Sequence, residues 1–143
     1  MITVGYQIDL LNFSMNKSRL NRSMRLADSA DFERVFISRK KISGTMFTVL
    51  YCFNELNYPR LGMAISRKHF SRAVDRNRVK RLIRESFRQW QQILSKCDLV
   101  VLSKLNASYY SNLDLLCSLE NQWICLTKDT SAFRSPRNTA ITP

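Results

Sequence analysis

At 143 residues, with 45% of them apolar and only three glycines and three prolines, the chain has the composition of one folded domain rather than a linker-rich or low-complexity protein. Its 23 Lys and Arg against 11 Asp and Glu leave a net charge of +12, a surplus that points to a phosphate polyanion or an anionic membrane surface. The membrane is set aside, because no apolar run approaches the roughly 18 residues of a spanning helix, and no secretory signal is expected, because no Lys or Arg precedes Lys17.

Residues 1–22 lack sustained periodicity and are expected to form a disordered arm. Met15 and Met24 both sit just upstream of basic residues, and Met15 is an alternative natural start. The first helix is expected to begin at Asp28 or Ser29, both good N-cap residues, with Asp31 and Glu33 near the positive end of its dipole. Phe32, Val35 and Phe36 follow at i, i+3, i+4 spacing and share one face; Arg39, Lys40 and Lys41 lie at the exit. A short strand over Lys41–Ser43 is weakly signalled. Met46–Phe53 reads as a strand with Phe47, Val49, Tyr51 and Phe53 on one side of the alternation. Asn54–Pro59 reads as a turn, and Leu61–Ser66 as the next strand.

A long helix is predicted over roughly Ser71–Leu94, with Val79, Leu82, Ile83, Phe87, Trp90, Ile93 and Leu94 along its core face. Asp98–Ser103 is an apolar run of the length expected for a buried central strand. A last helix over about Ser111–Thr127 should bury Leu115, Leu116, Leu119, Trp123 and Ile124. The polar tail, 128–143, with two prolines, is expected to be disordered. The domain is therefore 23–127, an α/β sandwich in which the Leu61–Ser103 strand–helix–strand unit places its strands parallel.

The charge is concentrated. Between Arg60 and Arg88 ten basic residues stand against Asp75 and Glu85, a net of +8 in 29 residues. Arg76, Lys80, Arg84 and Arg88 recur at every fourth position of the long helix, with Asn77 and Arg81 beside them, which makes a basic stripe turned away from the apolar face. Like charges at that spacing repel by a few tenths of a kcal/mol per pair, so an external polyanion is the expected partner. Arginine's planar fork suits phosphate, and Asn77 can donate to and accept from a base or a 2′-hydroxyl. A merely solvated charged face is the competing reading.

Chemistry of the chain's own is not expected. Cys52, Cys97, Cys117 and Cys125 make no CxxC pair, and His69 alone cannot complete a zinc set, so the cysteines read as reduced thiols and no metal site is expected. No carboxylate cluster for a two-metal site and no His pair is present, so no residue is assigned to catalysis, and His69 reads as a surface or core residue.

The stretch from Pro59 to Arg88 resembles the signature of the bacterial ribonuclease P protein. A strand containing Gly62 ends in Ser66-Arg67-Lys68, and Ala73-Val74-Asp75-Arg76-Asn77-Arg78-Val79-Lys80-Arg81-Leu82-Ile83-Arg84-Glu85-Ser86-Phe87 follows the family's Arg-Asn-Arg pattern. Arg25-Leu26, then Asp31-Phe32 with Val35-Phe36, and Asp98 to Lys104 match as well, so the similarity spans about Arg25–Trp123. It implies a two-layer α+β sandwich of α-β-β-β-α-β-α order, like a domain of a small-subunit ribosomal protein. It also implies a left-handed β-α-β crossover, opposite to the usual hand.

The resemblance also implies roles. Hydrolysis would belong to a catalytic RNA and its Mg2+ ions, with no cofactor bound by the protein alone. Arg67, Lys68, Arg72, Arg76, Asn77, Arg78, Lys80, Arg81, Arg84 and Arg88 would dock on that RNA. Phe32, Phe36, Leu50 and Tyr51 would form the cleft for the single-stranded 5′ leader of precursor tRNA, although Phe32 and Phe36 are also plausible core residues. Leu50 stands nearest the family's cleft aromatic, and Leu105 stands where relatives often carry a second basic residue after Lys104. The expected partners are RNA, not DNA or a membrane, and the expected location is the cytoplasm. A non-catalytic RNA-binding protein of the ribosomal type and a protein-only nuclease are the alternatives.

Overall fold

The computed structural model describes residues 22–141, so the expected N-terminal arm lies, except for Arg22, outside the described residues. In chain order the elements are α1 (Ser29–Ser38), β1 (Lys40–Ser43), β2 (Phe47–Phe53), β3 (Arg60–Ala64), α2 (Ala73–Trp90), β4 (Cys97–Ser103) and α3 (Asn112–Ile141). The α-β-β-β-α-β-α order expected from the sequence is therefore present. The four strands lie in the order β1-β2-β4-β3. β1 and β2 form an antiparallel hairpin, β2 and β4 are antiparallel, and β3 and β4 are parallel, joined by α2.

Alternation along the strands divides the core in two. Phe47, Val49 and Tyr51 of β2, Leu61 of β3, and Leu99 and Val101 of β4 face α2 and α3. On the other face, Leu50 and Cys52 of β2 and Val100 and Leu102 of β4 lie under α1 with Leu26, Phe32 and Val35. The sandwich thus has helices on both faces of its sheet. β4 is central and covered on both sides, which is why Leu99 to Leu102 read as an unbroken apolar run.

Local signals account for the helix ends. Asp28, extended at φ −78°, precedes α1, and its carbonyl accepts from the Asp31 and Phe32 amides. Ser111 opens α3 with a reciprocal cap, its hydroxyl accepting from the Asp114 amide at 3.2 Å while the Asp114 carboxylate accepts from Ser111. Between α2 and α3, Phe87 meets Trp123 edge-on at 6.2 Å, and the Trp123 indole donates to the buried Ser86 hydroxyl at 2.7 Å. That bond satisfies a polar group the core would otherwise strand.

Two expectations are corrected. α2 ends at Trp90 rather than Leu94, because the chain must turn into β4. The Trp90 carbonyl accepts from both the Ile93 and Leu94 amides, which buries Leu94 and leaves Ile93 56% exposed. α3 does not stop at Thr127 but continues to Ile141. Thr130 is buried and accepts from the Ser95 hydroxyl, and Asp129 accepts from the Tyr51 hydroxyl. Polar residues continue the helix there because partners distant in sequence meet their hydrogen-bonding needs.

Candidate nucleic-acid interface

α2 is held by Val79, Ile83, Phe87 and Trp90, all buried, so its opposite side is fixed in direction by the core. That side presents Asn77 and Arg81, exposed, and Lys80 and Arg84, partly covered. Arg25 joins them. It bridges Leu61 in parallel at the β3 edge, and the Leu26 amide donates to the Leu61 carbonyl at 2.8 Å. Burial, then the positive charges of Arg25 and Arg81, push the Arg84 guanidinium below its usual range. Among the described residues no ion pair neutralises Arg25, Arg81 or Arg84. Arg25 was not singled out in the sequence as a site residue, because about fifty residues separate it from α2; only the bridge to Leu61 brings it there.

The other expected docking residues are less free. Arg76 turns back, its Nη1 donating to the carbonyls of Phe70 and Ser71 at 2.9 and 2.8 Å, so it braces the turn into α2. Arg88 is only 13% exposed and pairs with Glu85 at 3.1 Å. Arg72 is paired with Asp75 at 2.8 Å, and Arg78 donates to Asn112 Oδ1 at 2.6 Å, yet both keep open faces toward solvent. Arg67 and Lys68 are exposed on the turn between β3 and α2. The fourth-position spacing thus describes a helix side whose two ends are engaged internally and whose middle is free.

A second feature lies on the α1 side. Phe32 packs over Gly62, where an added Cβ would stand 2.8 Å from the ring and 3.1 Å from Leu26. This close approach, rather than a turn, is the reason for glycine in the middle of β3. One turn on, Phe36 is 46% exposed and borders an apolar groove with Ala27, Phe32, Ile37 and Ala64. The two phenylalanines therefore divide the readings open in the sequence: Phe32 is half in the core and Phe36 is mostly in the groove. Leu50 packs in the same small core as Phe32. Tyr51 does not join them. It is buried on the opposite face with its hydroxyl donated to Asp129, and burial followed by that bond pushes its pKa up. Successive strand residues point to opposite faces, so Leu50 and Tyr51 cannot line one cleft.

The seat of α1 depends on Asp98, fully buried at the start of β4. Arg60 and Asn54 donate to its carboxylate at 2.7–2.9 Å, Arg34 from α1 donates to it as well, and Asp31 of α1 accepts from Arg60 at 3.4 Å. Burial opposes its ionisation, but these bonds and the Arg60 charge outweigh it and hold the carboxyl below the usual range. His69 Nδ1 lies 2.7 Å from the Ser103 hydroxyl, which also accepts from the Ser66 amide, a latch at the ends of β3 and β4. All four cysteines are free thiols. Among the described residues, no three His, Cys, Asp or Glu side chains converge to hold a metal ion, and no helix is long and apolar enough to cross a membrane.

The sequence profile of the family described as Ribonuclease P matches residues 20–127. The ribonuclease P protein component of Nitrosococcus oceani is 58% identical over 117 residues, covering 82% of this chain and 98% of that protein. The component of Methylococcus capsulatus is 45% identical over 115 residues, covering 80% and 90%. Among solved structures, the RNase P protein of Staphylococcus aureus superposes with a TM-score of 0.66 at 32% identity, over 69% of this chain and 91% of that one.

Proposed function

The chain belongs to the ribonuclease P protein family, and from that premise we propose that it serves a cytoplasmic ribonucleoprotein endonuclease as the subunit that binds both a catalytic RNA and the 5′ leader of precursor tRNA. The observation that carries this reading is the Arg25, Arg81 and Arg84 cluster, which crowds positive charge without a carboxylate to offset it. Such a cluster lowers its own energy by taking up phosphates, and each phosphate contact releases condensed counterions. Asn77, Lys80, Arg67 and Lys68 extend the RNA-docking surface, whereas Arg76 and Arg88 support it from within.

The groove at Phe36 is the proposed leader site. An exposed ring beside a half-buried one offers a stacking face for single-stranded bases that needs no particular sequence. In this reading the RNA subunit performs the cleavage and holds the Mg2+ ions, and the protein binds no cofactor by itself. Its part is electrostatic and positional: it screens phosphate repulsion where RNA meets RNA, and it keeps the leader in line.

The test mixes the purified chain with a bacterial ribonuclease P RNA and assays 5′ cleavage of a precursor tRNA at low magnesium. Cleavage by the mixture and by neither component alone is the expected result. RNA binding with no rescue of cleavage would leave a general RNA-binding protein instead, and cleavage by the protein alone would make it a nuclease in its own right.

A further inference from the structure

The loop joining β4 to α3 carries apolar side chains that the core does not use. In its 3₁₀ turn, Leu105–Tyr109, the fully buried Ala107 anchors the backbone while Tyr109 stands 85% exposed and Leu105 is exposed beside it. Leu113 on the first turn of α3 and Val74 on the first turn of α2 are exposed as well. Ser108, the residue before Tyr109, lines a polar hollow with Lys68, His69, Arg72 and Arg78. Asp75 lies in the same hollow but is paired with Arg72. Arg78 reaches Asn112 Oδ1 at 2.6 Å and so ties the second turn of α2 to the start of α3 at this place.

An aromatic face next to a cationic hollow is what unpaired RNA requires, a ring for the base and cations for the adjoining phosphate. A protein partner attracted by the apolar side chains would have to desolvate three cations, Lys68, Arg72 and Arg78, that have the single carboxylate of Asp75 in the hollow to offset them. We propose that Tyr109 stacks on an unpaired base of the catalytic RNA while Lys68 and Arg72 hold the neighbouring phosphate, which extends the RNA interface from α2 onto the β4–α3 turn. The proposal rests on the RNA-subunit reading. It commits to the catalytic RNA because Lys68 and Arg78 make the hollow continuous with the α2 surface, whereas the Phe36 groove lies across the sheet against α1.

The experiment measures affinity of the full chain and its variants for a bacterial ribonuclease P RNA as a function of salt. Tyr109→Ala should bind about tenfold more weakly, as expected for loss of one stacked base, with an unchanged salt slope. Tyr109→Phe should bind like the wild type. Lys68→Ala should reduce the slope of log affinity against log salt by about 0.7, one phosphate contact. In Tyr109→Trp, the new indole should be quenched on RNA addition, since Trp90 and Trp123 are buried. Wild-type affinity in a folded Tyr109→Ala, or a loss confined to precursor tRNA, overturns the proposal while leaving the subunit reading intact. Failure of the wild type to bind the RNA sinks both.

Discussion

Arg60 grips Asp98 with two nitrogens, Nε to Oδ1 at 2.8 Å and Nη2 to Oδ2 at 2.7 Å, in a site where the carboxylate is fully buried. Because Arg34 donates to the same carboxylate and Asp31 accepts from Arg60, the pair fastens α1 to the beginnings of β3 and β4. The Phe36 groove takes its shape from that attachment.

Removing the Asp98 charge leaves the partly buried Arg60 with only its longer ion pair to Asp31, at 3.4 Å. Asp98→Asn should destabilise the fold by about 3–5 kcal/mol. The wild-type Asp98 has a carboxyl pKa below its unfolded value near 3.9, so its contribution is complete above that pH and is lost as pH falls through the lower folded value. Urea unfolding at pH 7 and below pH 4 checks both parts. The gap between wild type and Asp98→Asn should narrow in acid, and a constant gap would contradict the assignment.

Gly62 is held to glycine by the Phe32 ring. Gly62→Ala should cost about 1–3 kcal/mol through overpacking, and Phe32→Leu in the same chain should recover part of it by retracting the ring atoms that stand 2.8 Å from the new Cβ. Thermal melts of the two single variants and the double variant give the coupling.

Arg81 and Arg84 are the cleanest probes of RNA docking, since neither is tied into the fold as Arg76 and Arg88 are. Arg81→Ala should leave unfolding unchanged within about 0.5 kcal/mol, weaken binding to the RNA subunit and raise the magnesium needed for cleavage. Arg76→Ala should instead lower stability, because the carbonyls of Phe70 and Ser71 lose their donor. Equal RNA affinity in wild type and Arg81→Ala would remove α2 from the interface.

Phe36→Ala should weaken precursor tRNA binding by about 1–3 kcal/mol and leave mature tRNA binding unchanged, since only the precursor carries a leader. Tyr51→Phe is the matched control, as Tyr51 faces the other core: it should alter stability through the lost Asp129 bond but not leader affinity. Competition binding with the two RNAs reads out both.

Arg39 ends α1 in the left-handed region at φ 60°, ψ 8°, a conformation that costs a side-chain-bearing residue roughly 1–2 kcal/mol relative to its right-handed form. Arg39→Gly should therefore raise the urea midpoint modestly, while Arg39→Val should lower it, because a β-branched residue tolerates that backbone least.

Most of the architecture was legible in short-range pattern. The period-2 alternation of Phe47, Val49 and Tyr51, the 3.6-residue recurrence of Val79, Ile83, Phe87 and Trp90, and the unbroken apolar run of β4 follow from backbone geometry that acts over a few residues, so they survive without knowledge of neighbours. The net charge and the basic segment from Arg60 to Arg88 were equally plain.

What tertiary structure alone decided was which of those charges and rings are free. Arg25 enters the cluster through a strand-edge bridge to Leu61, and Phe32 closes on Gly62 of β3 while Phe36, one turn on, stays open. The same holds for α3 past Thr127, which Tyr51 and Ser95 retain from distant parts of the chain. Periodicity fixes the direction of a side chain relative to its own element; what that side chain meets depends on pairings between segments far apart in sequence, and those are set by how the sheet and helices close on one another.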